Sequence, residues 1–219
     1  VYPLLGFERA DFIDSFPQTG RLRSYVSDET AFNFIKRAYE KKGSDPLFFF
    51  EVTMQNHSGY TDKFDNFTPD VALKDGGTDA INTYLSLMKQ TDTALESLVR
   101  YFSEQEEKTI IVFFGDHQPT DSVVEPVLQA NGKSGATLTD EEQKDRYVVP
   151  FVIWANFDIA EEQDMEISAN YLSGKVMQTA GLPLSPYQQY LEEFRQEIPV
   201  ISAEETRYAD ESGSGEDTL

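Results

Sequence analysis

Two nearly continuous apolar runs constrain the fold of this chain more than any other feature. They read "PLFFFEVTM" at 46–54 and "TIIVFFGD" at 109–116. Uninterrupted apolar residues over this length are typical of strands that are covered on both faces. A third run, "YVVPFVIWA" at 147–155, predicts another strand, in which Pro150 lies near the start or at a sheet edge.

Helical patterns lie between and after these runs. Apolar residues recur every three or four positions from Ile81 to Phe102, which predicts one long helix. Further helices are predicted at 27–43, 168–181 and 185–194, where serine residues can cap the first turn. This alternation predicts an α/β sandwich with a largely parallel sheet flanked by helices.

Composition narrows the classes of function. The chain has 219 residues, enough for one domain with a core, and its 16 Phe argue against disorder. A net charge of −21 argues against nucleic acid as a partner and favours divalent cations. With Cys 0, disulfides, thiolate metal sites and cysteine nucleophiles are excluded. No apolar stretch approaches the roughly 18 residues of a membrane span.

The last residues differ from the rest. From 203 the sequence "AEETRYADESGSGEDTL" is acidic and has no periodicity. We therefore expect one domain at 1–202 followed by an acidic, mobile tail at 203–219.

The chemistry-bearing residues follow the first two predicted strands. The first strand leads into Asn56 and His57, and the second leads into Asp116 and His117. These are the only two histidines of the chain. If 48–53 and 110–114 are neighbouring parallel strands, their ends meet at one edge of the sheet, and His57 lies within roughly 10 Å of His117.

Each of these residues also has a structural interpretation. A histidine after a strand is often a hydrogen-bonded surface residue, and an aspartate there is often a turn or cap residue. An adjacent Asp–His pair nevertheless suits a divalent metal, because carboxylate oxygen and neutral imidazole nitrogen are both good ligands. From the residues alone, both interpretations of Asp116 and His117 remain open. Asp92 interrupts the apolar stripe of the long helix, and we predict for it a structural hydrogen bond to a neighbouring loop.

A family resemblance carries the interpretation further. "FFGDHQP", preceded by "EKTIIV", resembles the metal-binding motif of the sulfatase-like branch of the alkaline phosphatase superfamily. "LFFFEVTMQNHSGY" narrows this to a resemblance to the lipoteichoic acid synthase family, and the similarity extends over most of 1–200. It implies an alkaline phosphatase-like sandwich that is incomplete at its amino-terminal side. Residues 1–202 would then be the carboxyl-terminal portion of a sulfatase-like catalytic domain.

The resemblance also implies roles for single residues. Asp116 and His117 would be two ligands of one metal ion, Mn²⁺ in preference to Zn²⁺ or Mg²⁺. His57 would contact the phosphate of the substrate, and Asn56 would help to shape that loop. The family's nucleophile is a threonine at a helix start, which Thr53 does not match. We therefore expect the nucleophile to lie outside this chain and the chain alone to be inactive.

The implied parent protein is an extracellular enzyme tethered to a bacterial membrane through segments upstream of this chain. It would transfer glycerol phosphate from phosphatidylglycerol to a glycerol-phosphate polymer, or hydrolyse phosphate or sulfate esters of the cell envelope. The alternative is a non-catalytic binding or scaffolding module that retains a relic metal site.

Overall fold

The structure, a computed structural model, describes residues 2–74, 76–202 and 205–209. The chain divides into two compact units. One comprises Val1–Glu104 and Pro119–Thr137, and the other comprises Gln105–Gln118 and Leu138–Leu219. In the described part of the chain, none of the helices combines the length and the apolar character that crossing a bilayer requires.

The first unit is mainly helical. Its helices and strands are α1 (Asp28–Lys41), α2 (Asp79–Ser103), α3 (Asp121–Ala130), and the antiparallel hairpin of β1 (Arg21–Leu22) and β2 (Tyr25–Val26). Short 3₁₀ helices cover Tyr2–Leu5, Ile13–Ser15, Gln18–Gly20 and Gly135–Thr137. Helix α2 packs against both α1 and α3.

Local capping explains where the two long helices begin. The Ser27 hydroxyl accepts the backbone N–H of Thr30 at the start of α1, as the sequence predicts. Thr78 does the same for Ile81 at the start of α2. The core of the unit forms where α2 buries its apolar stripe, with Leu87 fully buried. This cluster consists of Tyr60, Ala80, Ile81, Leu87 and Val123.

The predicted strand at 46–54 is not a strand in the structure. Residues 46–54 have no ladder partner, and β3 in the second unit pairs only with β4 among the described residues. The apolar pattern indicates a segment whose side chains require burial. An apolar run does not specify which strand pairs with it.

The second unit combines a small sheet with helices. Its elements are β3 (Ile110–Phe114), β4 (Phe151–Ala155), α4 (Asp140–Lys144), α5 (Ala169–Thr179), α6 (Pro186–Glu197), β5 (Val200–Ile201) and β6 (Thr206–Arg207), with a 3₁₀ turn at Asp145–Tyr147. Helix α6 begins with the predicted serine cap, here as part of a capping box in which Ser185 and Gln188 bond each other's backbone N–H. Helices α5 and α6 pack together.

The sheet prediction was wrong in direction. Strands β3 and β4 pair antiparallel, with Ile110 opposite Ala155 and Phe114 opposite Phe151. All three sheets of the described residues are two-stranded and antiparallel. The predicted α/β class is supported. The spacing and hydrophobicity of residues do not encode the direction of a strand, so the prediction of a largely parallel sheet went beyond what the sequence pattern supports.

Part of the predicted tail is described. Within it, Thr206 and Arg207 pair with Ile201 and Val200 in a short antiparallel hairpin. Residues 203–204 and 210–219 lie outside the described residues, and their mobility stays a prediction.

Candidate functional site

Gly115 ends strand β3 and leads directly into Asp116 and His117. Its backbone N–H donates to the carbonyl of Pro150 at 3.1 Å, which continues the pairing with β4 by one residue. A Cβ at this position would lie 3.1 Å from the Cβ of Val149. The missing side chain therefore lets the two chains stay close where the acidic residue and the histidine leave the sheet.

Hydrogen bonds to the local backbone hold the side chains of Asp116 and His117. Asp116 Oδ1 accepts the backbone N–H of His117 at 2.9 Å, and His117 Nδ1 lies 2.8 Å from the carbonyl oxygen of Gln118. A carbonyl can only accept, so this contact places the ring proton on Nδ1 and leaves a lone pair on Nε2. Metal-binding histidines in proteins typically donate their other ring N–H in this way.

The distance between the two donor atoms fits a shared ion. His117 Nε2 lies 3.7 Å from Asp116 Oδ2, and both side chains are well exposed. Two donors that each bind one ion at about 2.1 Å are separated by at most about 4.2 Å. In the part of the chain that the structure describes, no group of three or more His, Cys, Asp or Glu side chains is placed to hold a metal. Among the described residues, Asp116 and His117 therefore form a pair whose spacing is compatible with such a site.

The second candidate site is the loop that carries Asn56 and His57 in the first unit. The Asn56 amide donates to the Thr91 hydroxyl of α2 at 2.8 Å, and the Tyr60 hydroxyl donates to the Asn56 carbonyl at 2.7 Å. Gln55, which is fully buried, donates to the Thr91 hydroxyl at 3.1 Å. The residues on either side of His57 are thus fixed to the protein interior.

His57 itself is exposed at the tip of this fixed loop. The hydroxyls of Tyr25 and Ser58 both lie 3.4 Å from its Nδ1. Hydroxyl groups can donate to an imidazole nitrogen, and an Nδ1 that accepts leaves the ring proton on Nε2. Neutral His57 in this form presents an N–H donor, which suits a phosphate oxygen.

Arg23 is a component of this loop that the sequence analysis missed. Its guanidinium is buried and donates to the backbone carbonyls of Gln55 at 2.8 Å, His57 at 2.6 Å and Gly59 at 3.2 Å. Burial lowers the pKa of Arg23, while Tyr25, Tyr60 and Asp62 oppose this. An arginine in a short hairpin 32 positions before Gln55 gives no local signal in the sequence.

Asp92 does not have the role that the sequence predicted. It is exposed on α2, and no hydrogen bond of its side chain is found within the described residues. The neighbouring Thr91 is buried instead and serves the His57 loop. The predicted stripe is buried at Ile81, Leu98 and Phe102. In the middle of α2, however, Leu87 and Thr91 are buried in place of their neighbours Met88 and Asp92.

An apolar groove of about 730 Å³ runs along the segment 46–54 in the first unit. The groove contains the large side chains of Phe48 and Val52, which are 76% and 59% exposed. Within the described residues, the backbone groups of 47–52 have no hydrogen-bond partner. Glu51 also lines the groove, and burial together with Asp28 and Asp11 raises its pKa to about 7.

The predicted site residues thus fall into two pairs, one in each unit. Asn56 and His57 belong to the first unit, and Asp116 and His117 belong to the second. The strand pairing from which we predicted that His57 approaches His117 is absent, so their proximity stays a prediction.

Comparison with known proteins identifies relatives from a bacterium. The chain is 29% identical over 199 residues to the putative cyclic beta-1,2-glucan modification protein of Rhizobium meliloti, which covers 87% of this chain and 30% of that protein. It is 31% identical over 121 residues to the capsular polysaccharide biosynthesis protein RkpI of the same organism, covering 53% and 20% of the two chains. This chain therefore spans less than a third of the length of these relatives.

A solved structure shares the fold. The phosphoglycerol transferase GacH of Streptococcus pyogenes, in complex with sn-glycerol-1-phosphate, matches with a TM-score of 0.65 and 18% identity. The match covers 93% of this chain and 52% of GacH. The sulfatase family model matches residues 2–182. Because this match extends over most of the chain, the protein belongs to the sulfatase family.

Proposed function

We propose that this chain is the carboxyl-terminal portion of a metal-dependent enzyme that transfers phosphoglycerol, or hydrolyses phosphate or sulfate esters, on cell-envelope substrates. Asp116 and His117 hold the metal, His57 binds the phosphate, and Asn56 shapes the loop around it. The names of the relatives support an envelope substrate, since they refer to glucan modification, capsular polysaccharide and phosphoglycerol transfer. The sn-glycerol-1-phosphate bound to GacH supports a glycerol-phosphate substrate, from phosphatidylglycerol or a glycerol-phosphate polymer.

The observation that carries this proposal is the geometry of Asp116 and His117. One carboxylate and one imidazole with a free Nε2 lone pair, 3.7 Å apart, suit Mn²⁺ or Zn²⁺, whereas Mg²⁺ prefers oxygen ligands alone. The preference for Mn²⁺ rests on the family resemblance. When bound, such an ion supplies Lewis-acid polarisation of a phosphoryl oxygen. The Nε2–H of His57 can donate to a phosphate oxygen.

Two features support an incomplete active site. Two ligands hold a catalytic ion weakly, so further ligands come from parts of the parent protein outside these 219 residues. The side chain of Thr53 hydrogen-bonds the buried Asp28, which does not suit a nucleophile. We therefore place the nucleophile outside this chain as well, and the chain alone is inert.

The exposed groove supports the same conclusion. Apolar side chains and unpaired backbone groups along 47–52 are the features of a strand without its neighbour. In the parent enzyme, a further strand of the sulfatase domain covers this segment and completes the sandwich. The parent acts at the extracellular face of the membrane, to which upstream segments tether it.

Selective ¹⁵N labelling of histidine tests the metal site directly, because the chain has only two histidines. Mn²⁺ is paramagnetic and broadens the signals of nearby nuclei. We expect His117 to broaden at low Mn²⁺ concentrations, and Asp116→Ala to abolish the effect. The exposed Asp92→Ala on α2 is the matched control and should behave like the wild type. Broadening of His57 in the same titration would support a shared site.

The opposite results have definite meanings. If Mn²⁺ and Zn²⁺ leave the His117 signals unchanged, or change them equally in Asp116→Ala, the proposed metal site is wrong. The scaffolding alternative then gains support. It would gain further support from a parent sequence that lacks a helix-initiating Thr, Ser or Cys and an additional acidic ligand.

A further inference from the structure

Arg23 occupies a strained backbone position. It is the first of the two residues that join β1 to β2, and its φ is 53°. Glycine or asparagine is favoured at such a position, and another residue there costs of order 1–2 kcal/mol. The strained residue is also buried, with Arg23 only 5% exposed. Strain of this kind is concentrated at functional sites.

The guanidinium is used to hold one loop. Its two terminal nitrogens donate to alternate carbonyls, Nη2 to Gln55 and His57 and Nη1 to Gly59. The planar fork of arginine suits this task, since it offers several N–H groups in fixed directions. The guanidinium also lies over the rings of Tyr25, Tyr60 and Phe64, at 5.5–5.9 Å from their centres.

A structural ion pair does not account for this buried charge. Among the described residues, Arg23 has no carboxylate within 4.0 Å. Taking a cation out of water costs several kcal/mol in a real protein. Here the offsetting interactions are the three loop carbonyls, the ring faces and the more distant charge of Asp62. The stabilisation that Arg23 provides is therefore directed at the shape of the 55–59 backbone.

The same hairpin also orients the imidazole ring. Tyr25, two residues after Arg23, places its hydroxyl 3.4 Å from His57 Nδ1 and its ring 5.9 Å from the His57 ring. The hairpin thus holds the backbone of His57 through Arg23 and places the Tyr25 hydroxyl beside the ring nitrogen. On the other side, Thr91 holds the Asn56 amide.

We propose that Arg23 is a positioning residue for His57. Arg23 holds the loop so that the Nε2–H of His57 is presented to a phosphate oxygen. The identity of the ligand as a phosphate rests on the proposed function. The positioning itself does not, because it concerns the ring of His57 in this chain alone.

The test uses ¹⁵N-histidine spectra of the chain, in which His117 serves as an internal reference. Arg23→Gly relieves the backbone strain and removes the guanidinium together with its aliphatic stem, and Arg21→Ala in the same hairpin is the control. In the wild type and in Arg21→Ala we expect His57 as a single Nε2–H tautomer with sharp signals. In Arg23→Gly we expect mixed tautomers and broadened His57 signals, with His117 unchanged. Identical His57 signals in Arg23→Gly and the wild type would overturn the proposal.

A titration with sn-glycerol-1-phosphate separates this proposal from the proposed function. We expect the His57 signals of the wild type to shift, and the affinity of Arg23→Gly to be roughly tenfold lower, as loss of a well-placed donor implies. Equal affinity in the two proteins would overturn the positioning role. If neither protein responds while the tautomer still changes, the phosphate assignment fails and the positioning role stands.

A third variant covers the possibility that Arg23→Gly unfolds, which circular dichroism would show. Arg23→Lys keeps the cation and the packing of the stem, but a single ammonium cannot reach three carbonyls in two directions. We expect it to fold and to show the same mixed His57 tautomers. A folded Arg23→Lys with the wild-type tautomer would also overturn the proposal.

Discussion

The carboxylate of Asp28, in the first turn of α1, accepts a 2.6 Å hydrogen bond from the hydroxyl of Thr91 in the middle of α2. The same hydroxyl accepts from the side-chain amides of Gln55 and Asn56. Thr91 thereby uses its one donor and both acceptor positions in a buried environment. The packing of α1 on α2 and the shape of the His57 loop therefore depend on one oxygen atom.

Thr91→Val should destabilise the protein by about 1–3 kcal/mol, because it removes one hydrogen bond from each of Asp28, Gln55 and Asn56 while keeping the shape of the side chain. The expected loss in Tm is roughly 4–8 °C. Thr93→Val is the matched control, since Thr93 is exposed two positions further along and bonds only the Lys89 carbonyl. Thermal unfolding measures both, and an equal Tm for the two variants would contradict the role of the Thr91 oxygen.

Leu87→Ala should cost about 2–5 kcal/mol, because Leu87 is 0% exposed and its removal leaves a cavity between α2 and its neighbours. The adjacent Met88 is 37% exposed, so Met88→Ala should cost much less. Urea unfolding of the two variants compares them directly. A similar change in both would mean that α2 is not packed in the orientation described.

The stability of the chain should fall as the pH rises from about 4.5 to about 7. The pKa of Glu51 is raised to about 7 in the folded chain from an ordinary value of 4.5, so within this window the folded chain binds more protons than the unfolded chain. The contribution is fully present below pH 4.5, is lost through pH 7 and is constant above it.

Glu51→Gln should remove this part of the pH dependence, a difference of roughly 3–6 °C in Tm between pH 5 and pH 8 after allowance for solvent screening. Glu8→Gln, which changes another carboxylate of the same groove, serves as the control. If Glu51→Gln and Glu8→Gln show the same slope of Tm against pH, the environment assigned to Glu51 is incorrect.

Gly115→Ala should weaken Mn²⁺ binding by roughly tenfold, because the added Cβ forces β3 and Val149 apart and displaces Asp116 and His117. Gly43→Ala has open space around its Cβ and is the control. Adding Val149→Ala to Gly115→Ala should restore part of the affinity. Histidine NMR measures the affinities, and failure of the second change to restore any would argue against this steric cause.

In the full-length parent enzyme, Asp116→Ala or His117→Ala should abolish turnover together with metal binding. His57→Ala should impair turnover while the metal stays bound, since the role proposed for His57 is contact with the substrate rather than with the ion. Metal content and turnover of a phosphatidylglycerol analogue, measured on the same samples, test this division of roles. The isolated chain with Mn²⁺ should be inert towards the same analogue, and turnover that Asp116→Ala removes would contradict this.

Helices were predictable from this sequence because their signals are local. The Ser27 cap of α1 and the Ser185–Gln188 capping box of α6 lie within four residues of the turns that they stabilise. The 46–54 segment was not predictable in the same way. Its apolar residues require a partner, and the identity and direction of that partner are properties of distant parts of the chain.

The same distinction between local and long-range signals applies to the candidate site. Asp116 and His117 were predictable as a pair because they are adjacent, and the Gly before them permits a sharp exit from the strand. Arg23 was not, because neither its positive φ nor its bonds to carbonyls more than 30 positions away are encoded in neighbouring residues. Backbone carbonyls are present at every position, so a residue that binds them leaves no complementary residue type to search for.

The exposed segment 47–54 also bears on how this chain behaves in concentrated solution. It combines strong β propensity with no Pro and no Gly, and Glu51 is its one charged residue. Such segments are the starting points of intermolecular β aggregation, and a single charge within them acts as a gatekeeper. Because Glu51 titrates near pH 7, the gatekeeper is neutralised in mild acid, where the folded chain is otherwise favoured. Colloidal and conformational stability therefore respond to pH in opposite directions, and the chain should be least prone to aggregate in mildly alkaline buffer.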